Sequence, residues 1–220
     1  MSASKPIMIG RWERRIGSVD KAESAFPRKA SVDRQTKETA VQISLEIDGA
    51  GESQIHTGIG FFDHMLTLFA KHGLFSLEVK AIGDLEVDCH HTVEDVGIVL
   101  GQALAQAAGD KSGIRRYGQS YVPMDEALVL VVVDFSGRPY LAFEAELGQG
   151  RVGDFDVEMV EEFLRALSVN AGLTLHVRMM AGKNRHHIIE AIFKALGRAL
   201  SASLEKDARV QGVPSSKGSL

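Results

Sequence analysis

The feature that most constrains this chain is a duplication. His90-His91-Thr92-Val93-Glu94 recurs as His186-His187-Ile188-Ile189-Glu190, each residue 96 positions before its counterpart. Gly101 and Gly197, and Leu104 and Leu200, keep the same spacing. Matches on that many positions, two of them paired histidines, point to one supersecondary unit used twice. A unit too small to bury its own apolar face is completed by its copy.

The local patterns give the unit its content. Val41, Ile43, Leu45 and Ile47 alternate with polar residues as a half-buried strand does. Asp48-Gly49-Ala50-Gly51 is a hairpin turn signal, followed by a short strand around 54–57. Residues 61–72 form a helix with Phe62, Met65, Leu66 and Phe69 on one stripe and Gly73 as its stop. A strand over 74–82 and a helix over 91–108 complete the half. The second half repeats the order: strand 127–135, turn Ser136-Gly137-Arg138-Pro139 in a central hairpin, strand 140–147, helix 157–170, strand 173–181 and helix 187–204. The expected fold class is α+β. It is a duplicated strand-strand-helix-strand-helix unit, with helices on one face of a mixed sheet in each half and the halves packed helix to helix. The expected division is an extension over 1–33, disordered or packed on a partner, then halves 34–122 and 123–220 in one compact domain.

Composition narrows the function. The 220 residues carry a net charge of −4, so no general attraction to nucleic acid or an anionic membrane is expected. No run of about 18 apolar residues suggests a membrane span, and no apolar signal-peptide core opens the chain. The expected compartment is the cytoplasm. The lone Cys89 forms no intrachain disulfide and reads as a small half-buried hydrophobe, with a ligand role left open by its histidine neighbours.

The histidine pairs carry the chemistry. On a helix, residues i and i+4 share a face, so His90 reaches the same ion as Glu94, and His186 the same ion as Glu190. Adjacent histidines are rotated by about 100°, so one ion does not easily take both members of a pair. Two pairs therefore argue for two ions. His64 and Glu162, near the starts of the other two helices, are further ligand candidates. Imidazole and carboxylate donors suit Mn²⁺, Fe²⁺ or Zn²⁺. A single His-His pair is more often a capping or surface feature; its repetition with Glu at +4 reverses that preference. His56, His72 and His176 read as structural or polar-face residues. Cationic turns at Arg115-Arg116, Arg138 and Lys183-Asn184-Arg185, and Pro214-Ser215-Ser216-Lys217-Gly218, offer donors for a phosphate. No phosphate-loop or dinucleotide glycine motif is present.

Ordered segments along the chain resemble the imidazoleglycerol-phosphate dehydratase family of histidine biosynthesis. They are residues 34–39, Thr57-Gly58-Ile59-Gly60-Phe61-Phe62-Asp63-His64-Met65-Leu66, 83–95, Pro123-Met124-Asp125-Glu126-Ala127, Asp134-Phe135-Ser136-Gly137-Arg138-Pro139-Tyr140, 182–191 and 214–218. The resemblance implies a lyase that dehydrates imidazole glycerol phosphate to imidazole acetol phosphate with two Mn²⁺ ions per site. It implies a ribosomal-S5-domain-2-like fold and a large homo-oligomer of octahedral symmetry with sites at subunit interfaces. It implies one ion on His90, His186, Glu190 and Glu162, the other on His64, His91, Glu94 and His187. Many members have histidine where this chain has Glu162; glutamate is a competent oxygen ligand. It places Arg116, Arg138, Ser215, Ser216 and Lys217 on the phosphate and brings Lys194 and Glu38 to the substrate.

For such a reaction a metal on a ring nitrogen is an electron sink, and a carboxylate takes the carbon-bound proton. Glu38 is the expected acid/base, with Glu190 and His64 as second choices. Outside the resemblance Glu38 reads as a solvated glutamate at a strand start. Two other functions fit the same residues: a metallohydrolase, and a non-catalytic assembly protein with structural metal at subunit contacts, whose sites are closed.

Overall fold

The computed structural model describes residues 28–218 and 220. Two four-stranded sheets share one topology. The first runs β1 (Lys29–Gln35), β2 (Thr39–Glu46), β3 (Ser53–His56) and β4 (Ser76–Gly83), in spatial order β1-β2-β4-β3. The second takes β5 (Tyr117–Met124), β6 (Ala127–Asp134), β7 (Tyr140–Glu144) and β10 (Thr174–Ala181), in order β5-β6-β10-β7. Between β7 and β10 lies a ribbon of β8 (Arg151–Val152) and β9 (Phe155–Asp156). In each sheet the first three strands in space are antiparallel and the last is parallel to its neighbour. The mixed sheet and the duplicated order agree with the sequence reading.

Each four-stranded sheet has one strand more than the patterns suggest, and the β8–β9 ribbon is a further addition in the second half. β1 buries one residue fully, Ala30, so its alternation is faint. β5 hides its alternation behind small residues. Gly118, Ser120 and Val122 face inward, and a Cβ on Gly118 would lie 1.9 Å from the Ala199 carbonyl. Two corrections follow. Residues 29–33, expected in the extension, are strand; the remainder of that expectation, 1–27, lies outside the described residues. The expected boundary at 122/123 falls inside β5, so the halves divide between residues 108 and 117 instead. The turns at 48–51 and 136–139 are also not hairpin turns, because β4 and β10 insert between the strands they connect. The hairpins within the two four-stranded sheets are β1–β2 and β5–β6.

Four helices fill the space between the sheets: α1 (Gly60–Gly73), α2 (His90–Ala108), α3 (Met159–Ala171) and α4 (Arg185–Leu204). α2 lies on β1 and β2, and α4 on β5 and β6. The halves then interlock, α1 of the first against α4 of the second, and α3 against α2. The repeat-matched glycines stand at these crossings. A Cβ on Gly197 would meet the Phe69 carbonyl at 2.4 Å, and one on Gly101 the Leu167 carbonyl at 2.8 Å. Phe62, Phe163 and Phe193, all fully buried, join α1, α3 and α4 at centroid distances of 5.3 to 6.4 Å. Each such ring contributes about 1.5–3 kcal/mol by leaving water.

The stop of α1 also differs from expectation. Gly73 is its last helical residue, and Leu74 takes the left-handed conformation at φ 58°. Gly73 has no room for a side chain, with the Phe75 ring at 2.5 Å from a built Cβ and the Gly197 carbonyl at 3.0 Å. Packing thus claims the glycine, and the exposed Leu74 carries a strain of about 1–2 kcal/mol.

Candidate metal centre

Both histidine pairs sit on the first turns of their helices. His90 and His91 open α2, and His186 and His187 follow Arg185 at the start of α4. The Asp88 carboxylate accepts from the His90 amide at 2.7 Å, and the Asn184 side chain from the His186 amide at 2.9 Å. Asp88 and Asn184 hold the same position in the repeat, so each pair is launched by a short polar side chain two residues before it. The rings of each pair stand nearly perpendicular, at 83° and 79°, with centroids 6.1 Å apart. Adjacent histidines do diverge as helix geometry requires.

His64, His186 and Glu190 converge, with one ligand atom from each inside 4.8 Å. Glu190 Oε2 lies 3.2 Å from His186 Nε2 and 3.7 Å from His64 Nε2. Atoms bound to one ion at about 2.1 Å are about 3 Å apart at right angles and about 4.2 Å apart across it, so this set fits a divalent cation. The other carboxylate oxygen, Oε1, accepts from Lys194 Nζ at 2.6 Å. Burial raises the Glu190 pKa, but the Lys194 ammonium and the His186 hydrogen bond outweigh it and leave it below the ordinary value. The helices that deliver these groups are held too. Asp63 on α1 accepts from the Thr57 amide at 2.9 Å and from its hydroxyl, and Phe61 packs edge-on to the His186 ring at 5.1 Å. Burial, then Lys194, pushes the His72 pKa down.

The structure groups the expected ligands differently from the family pattern. It brings His64 to His186 and Glu190 within one chain, where the resemblance divides them between two ions. The repeat counterparts His90, Glu94 and Glu162 form no such triad; among the described residues no other three His, Cys, Asp or Glu side chains converge this closely. Glu162 lies 4.0 Å from Arg165. Lys194, expected near substrate, is taken up by Glu190. Cys89 precedes α2 half-buried against the core.

His91 and His187 each have a carboxylate behind them, which the sequence reading missed. His91 Nδ1 lies 3.0 Å from Asp84 Oδ2, and His187 Nδ1 lies 2.7 Å from Glu126 Oε2. Both histidine pKa values are raised, by Asp84 and by Glu126 respectively. Glu126 is pulled down to about 2 by His187 and then by the Asn184 amide. The same field favours any cation at the far nitrogen, proton or metal. Glu38 stands exposed beside this group, close enough to add to the upward shift of His91. Its amide donates to Thr36 Oγ1 at 3.1 Å. Thr39 Oγ1 and Arg34 Nε bond the buried Asp95 on α2.

The phosphate candidates gather elsewhere. Arg116 grips Asp134 with Nε and Nη2 at 2.7 and 3.1 Å and donates Nη1 to the Pro214 carbonyl at 2.9 Å. That raises its pKa through Asp134. Arg138 Nη2 reaches the same carboxylate at 3.4 Å from an exposed position. The Ser215 hydroxyl accepts from the Lys217 amide at 3.2 Å, so Ser215, Ser216 and Lys217 form a turn beside Arg116. Two arginines thus face a single aspartate, which leaves positive charge for an anion. Arg116 adjoins the first residue of β5, whereas Glu126 and His187 adjoin its last. Eight strand residues span about 23 Å, so within one chain the two clusters lie at opposite ends of the sheet.

The chain's likeness to known proteins runs over most of its length. The sequence profile described as imidazoleglycerol-phosphate dehydratase matches residues 57–200. The chain is 64% identical over 193 residues to the imidazoleglycerol-phosphate dehydratase of Acetivibrio thermocellus, covering 88% of this chain and 99% of the relative. It is 58% identical over 193 residues to that of Geobacter sulfurreducens, with the same coverage. The solved structure of the Staphylococcus aureus enzyme superimposes with a TM-score of 0.74 at 49% identity, covering 81% of this chain and 99% of that one. The Pyrococcus furiosus structure does so with a TM-score of 0.74 at 36% identity, covering 86% and 100%. A duplicated α+β fold with a histidine and carboxylate cluster at its helix starts, and this identity across most of its length, make the chain a member of the imidazoleglycerol-phosphate dehydratase family, lyases of histidine biosynthesis.

Proposed function

We propose that the chain dehydrates D-erythro-imidazole glycerol phosphate to imidazole acetol phosphate with two Mn²⁺ ions per active site. The observation that carries this is the convergence of His64, His186 and Glu190 at the meeting of the two halves. Bound metal supplies an electron sink for the substrate's imidazole. His64, His186 and Glu190 hold one cation. His90, His91, Glu94, Glu162 and His187 are the remaining candidate ligands, and a nearby chain is needed to gather them.

The protein's own groups do the rest. The C–O bond on the carbon next to the ring breaks, and hydroxide leaves with a proton. The Glu38 carboxylate takes the proton from the neighbouring, central carbon of the glycerol chain, so one water is lost in all. The enol that remains tautomerises to the ketone. Arg138, Lys217 and the hydroxyls of Ser215 and Ser216 hold the phosphate, while Arg116 and Asp134 fix the loop that presents them. Lys194 keeps Glu190 ionised and turned toward the histidines, and His64 is a second candidate proton carrier.

The metal and phosphate clusters lie toward opposite ends of β5, a strand about 23 Å long, which supports sites shared between subunits. A phosphorylated substrate of this size cannot touch both clusters of one chain, so a homo-oligomer, octahedral by the family pattern, is part of the proposal. Among the described residues no helix is long and apolar enough to cross a membrane, and the pathway suits a cytoplasmic enzyme.

Metal analysis of the purified protein, joined to a dehydratase assay with and without chelator, tests the reading. Two manganese per chain, and activity that chelator removes and Mn²⁺ restores, are expected. Glu190→Ala should weaken Mn²⁺ by more than about 100-fold, beyond what losing a group behind a ligand does. Chelator-resistant turnover would sink the metal mechanism.

A further inference from the structure

The two hairpin turns occupy equivalent places in the repeat and carry the same residue. β2 and β6 are both eight residues long. Each pairs its last residue with the first residue of its partner strand, Glu46 with Ser76 and Asp134 with Thr174. In this register Thr39 corresponds to Ala127. The residue just before each strand is a glutamate, Glu38 in the first half and Glu126 in the second.

Their surroundings diverge. Glu126 spends both oxygens at the start of α4. Oε2 takes His187 Nδ1 at 2.7 Å, and Oε1 accepts from the amides of Lys183 at 3.1 Å and Asn184 at 2.7 Å. Nδ1 of His91, the counterpart of His187, is held by Asp84 instead. Asp84 directly follows β4, and the residue directly following β10 is Gly182. A side chain at Gly182 has no space, since a built Cβ lies 2.6 Å from Ile188 and 3.3 Å from Ala127. Each half therefore has one carboxylate for its second histidine, drawn from different places. In the first half the post-strand aspartate makes the hydrogen bond, and the turn glutamate adds only its charge from nearby. In the second half the post-strand position holds glycine and the turn glutamate does the work.

We propose that Glu126 and Asp84 are positioning residues that hold Nδ1 of His187 and His91 so that each Nε2 presents a lone pair to metal, and that this exchange of partners is what releases Glu38 for the substrate. The inference rests on the metal reading above. A carboxylate accepting from Nδ1–H fixes the tautomer with the lone pair on Nε2 and stops the ring from turning. Among the described residues, the carboxylate oxygen nearest His187 Nε2 is the exposed Asp125 Oδ2, at 3.7 Å, beyond hydrogen-bond range.

Mn²⁺ affinity, measured by chelator competition on the full chain, separates the roles, with the electron paramagnetic resonance spectrum of bound Mn²⁺ as a second readout. Glu126→Gln keeps an oxygen for the Lys183 and Asn184 amides but lets its NH₂ face Nδ1, which reverses the tautomer. It should weaken Mn²⁺ by about 10–100-fold and alter the spectrum. Asp84→Asn should do the same without touching the 182–184 loop, so it stands in if Glu126→Gln misfolds. Glu38→Gln should leave both readouts as in the parent. Adding Glu126→Gln to His187→Gln should weaken binding no further. Parent-like affinity and spectrum in both Glu126→Gln and Asp84→Asn would overturn the positioning role while leaving the metal reading intact. A parent protein that binds no Mn²⁺ would overturn both.

Discussion

The two halves start α2 and α4 with the same His-His-x-x-Glu pattern, yet only the start of α4 assembles a metal-ready triad inside one chain. The difference lies in the helix that crosses each one. α1 brings His64 to Glu190, whereas α3, in the equivalent place, brings Glu162, which turns toward Arg165. A carboxylate facing Glu94 would repel it, while an imidazole facing Glu190 attracts the same cation. Duplication therefore supplied two scaffolds, and among the described residues only the one crossed by α1, with His64, brings three possible metal-ligating side chains together.

The largest effect that sharpens this comparison falls on the turns. Glu38→Gln should lower kcat by about 10²–10⁴-fold, the range for losing a general acid or base. KM and Mn²⁺ content should hold steady. The Glu126→Gln variant should lose activity in proportion to lost metal, so excess Mn²⁺ should rescue it and fail to rescue Glu38→Gln. Steady-state kinetics across a Mn²⁺ titration distinguishes them. Rescue of both by metal would erase the functional difference between the turns.

The outline of this comparison was legible in the sequence. A 96-residue spacing of His, Glu and Gly gave the duplication, and 3.6- and 2-residue periods gave four helices and the central strands. What escaped was written in packing. β1 and β5 are strands whose inward positions are faint or small, Ala30 in one, Gly118 and Ser120 in the other. With those strands went the hairpin turns, and with the turns the kinship of Glu38 and Glu126. Asp84 and Glu126 reach their histidines across 7 and 61 residues. No helical or strand period links such residues. The union of His64 with Glu190 depends on α1 crossing to the other half, which topology decides and local pattern does not.

The crossings provide the next test. A Cβ added at Gly197 would meet the Phe69 carbonyl closer than one at Gly101 would meet the Leu167 carbonyl, at 2.4 against 2.8 Å. Overpacking costs about 1–3 kcal/mol, and alanine's better helix propensity returns about 1 kcal/mol. Gly197→Ala should therefore destabilise by up to about 2 kcal/mol, and Gly101→Ala by less. Only Gly197→Ala should also weaken Mn²⁺, because it moves α1 and His64 off Glu190. Thermal unfolding at matched protein concentration, with and without Mn²⁺, reads both. Equal Mn²⁺ dependence in the two variants would mean that the α1–α4 crossing does not set the metal site.

The smallest effect concerns the residues that precede each hairpin. Arg28 and Arg116 stand one before β1 and one before β5, and both clamp an aspartate while donating to a distant carbonyl. Arg28 joins Asp48 to the Leu204 carbonyl at the end of α4. Its hydrogen bond lowers the Asp48 pKa, against a smaller opposing push from burial. A carboxylate depressed in the fold stabilises above its unfolded value near 4 and loses that contribution as pH falls through the folded one. Asp48 is 47% exposed, so solvent screening keeps the contribution under about 1 kcal/mol. Asp48→Asn should thus cost a fraction of a kcal/mol at pH 7, and the deficit should shrink as pH drops from 4 toward 3. Arg28→Ala should keep a deficit at pH 3, because the Leu204 carbonyl loses its donor at every pH. Urea unfolding of both variants at pH 7 and 3 measures this, and a deficit in Asp48→Asn that does not change with pH would show that shape, not charge, holds the first hairpin to α4.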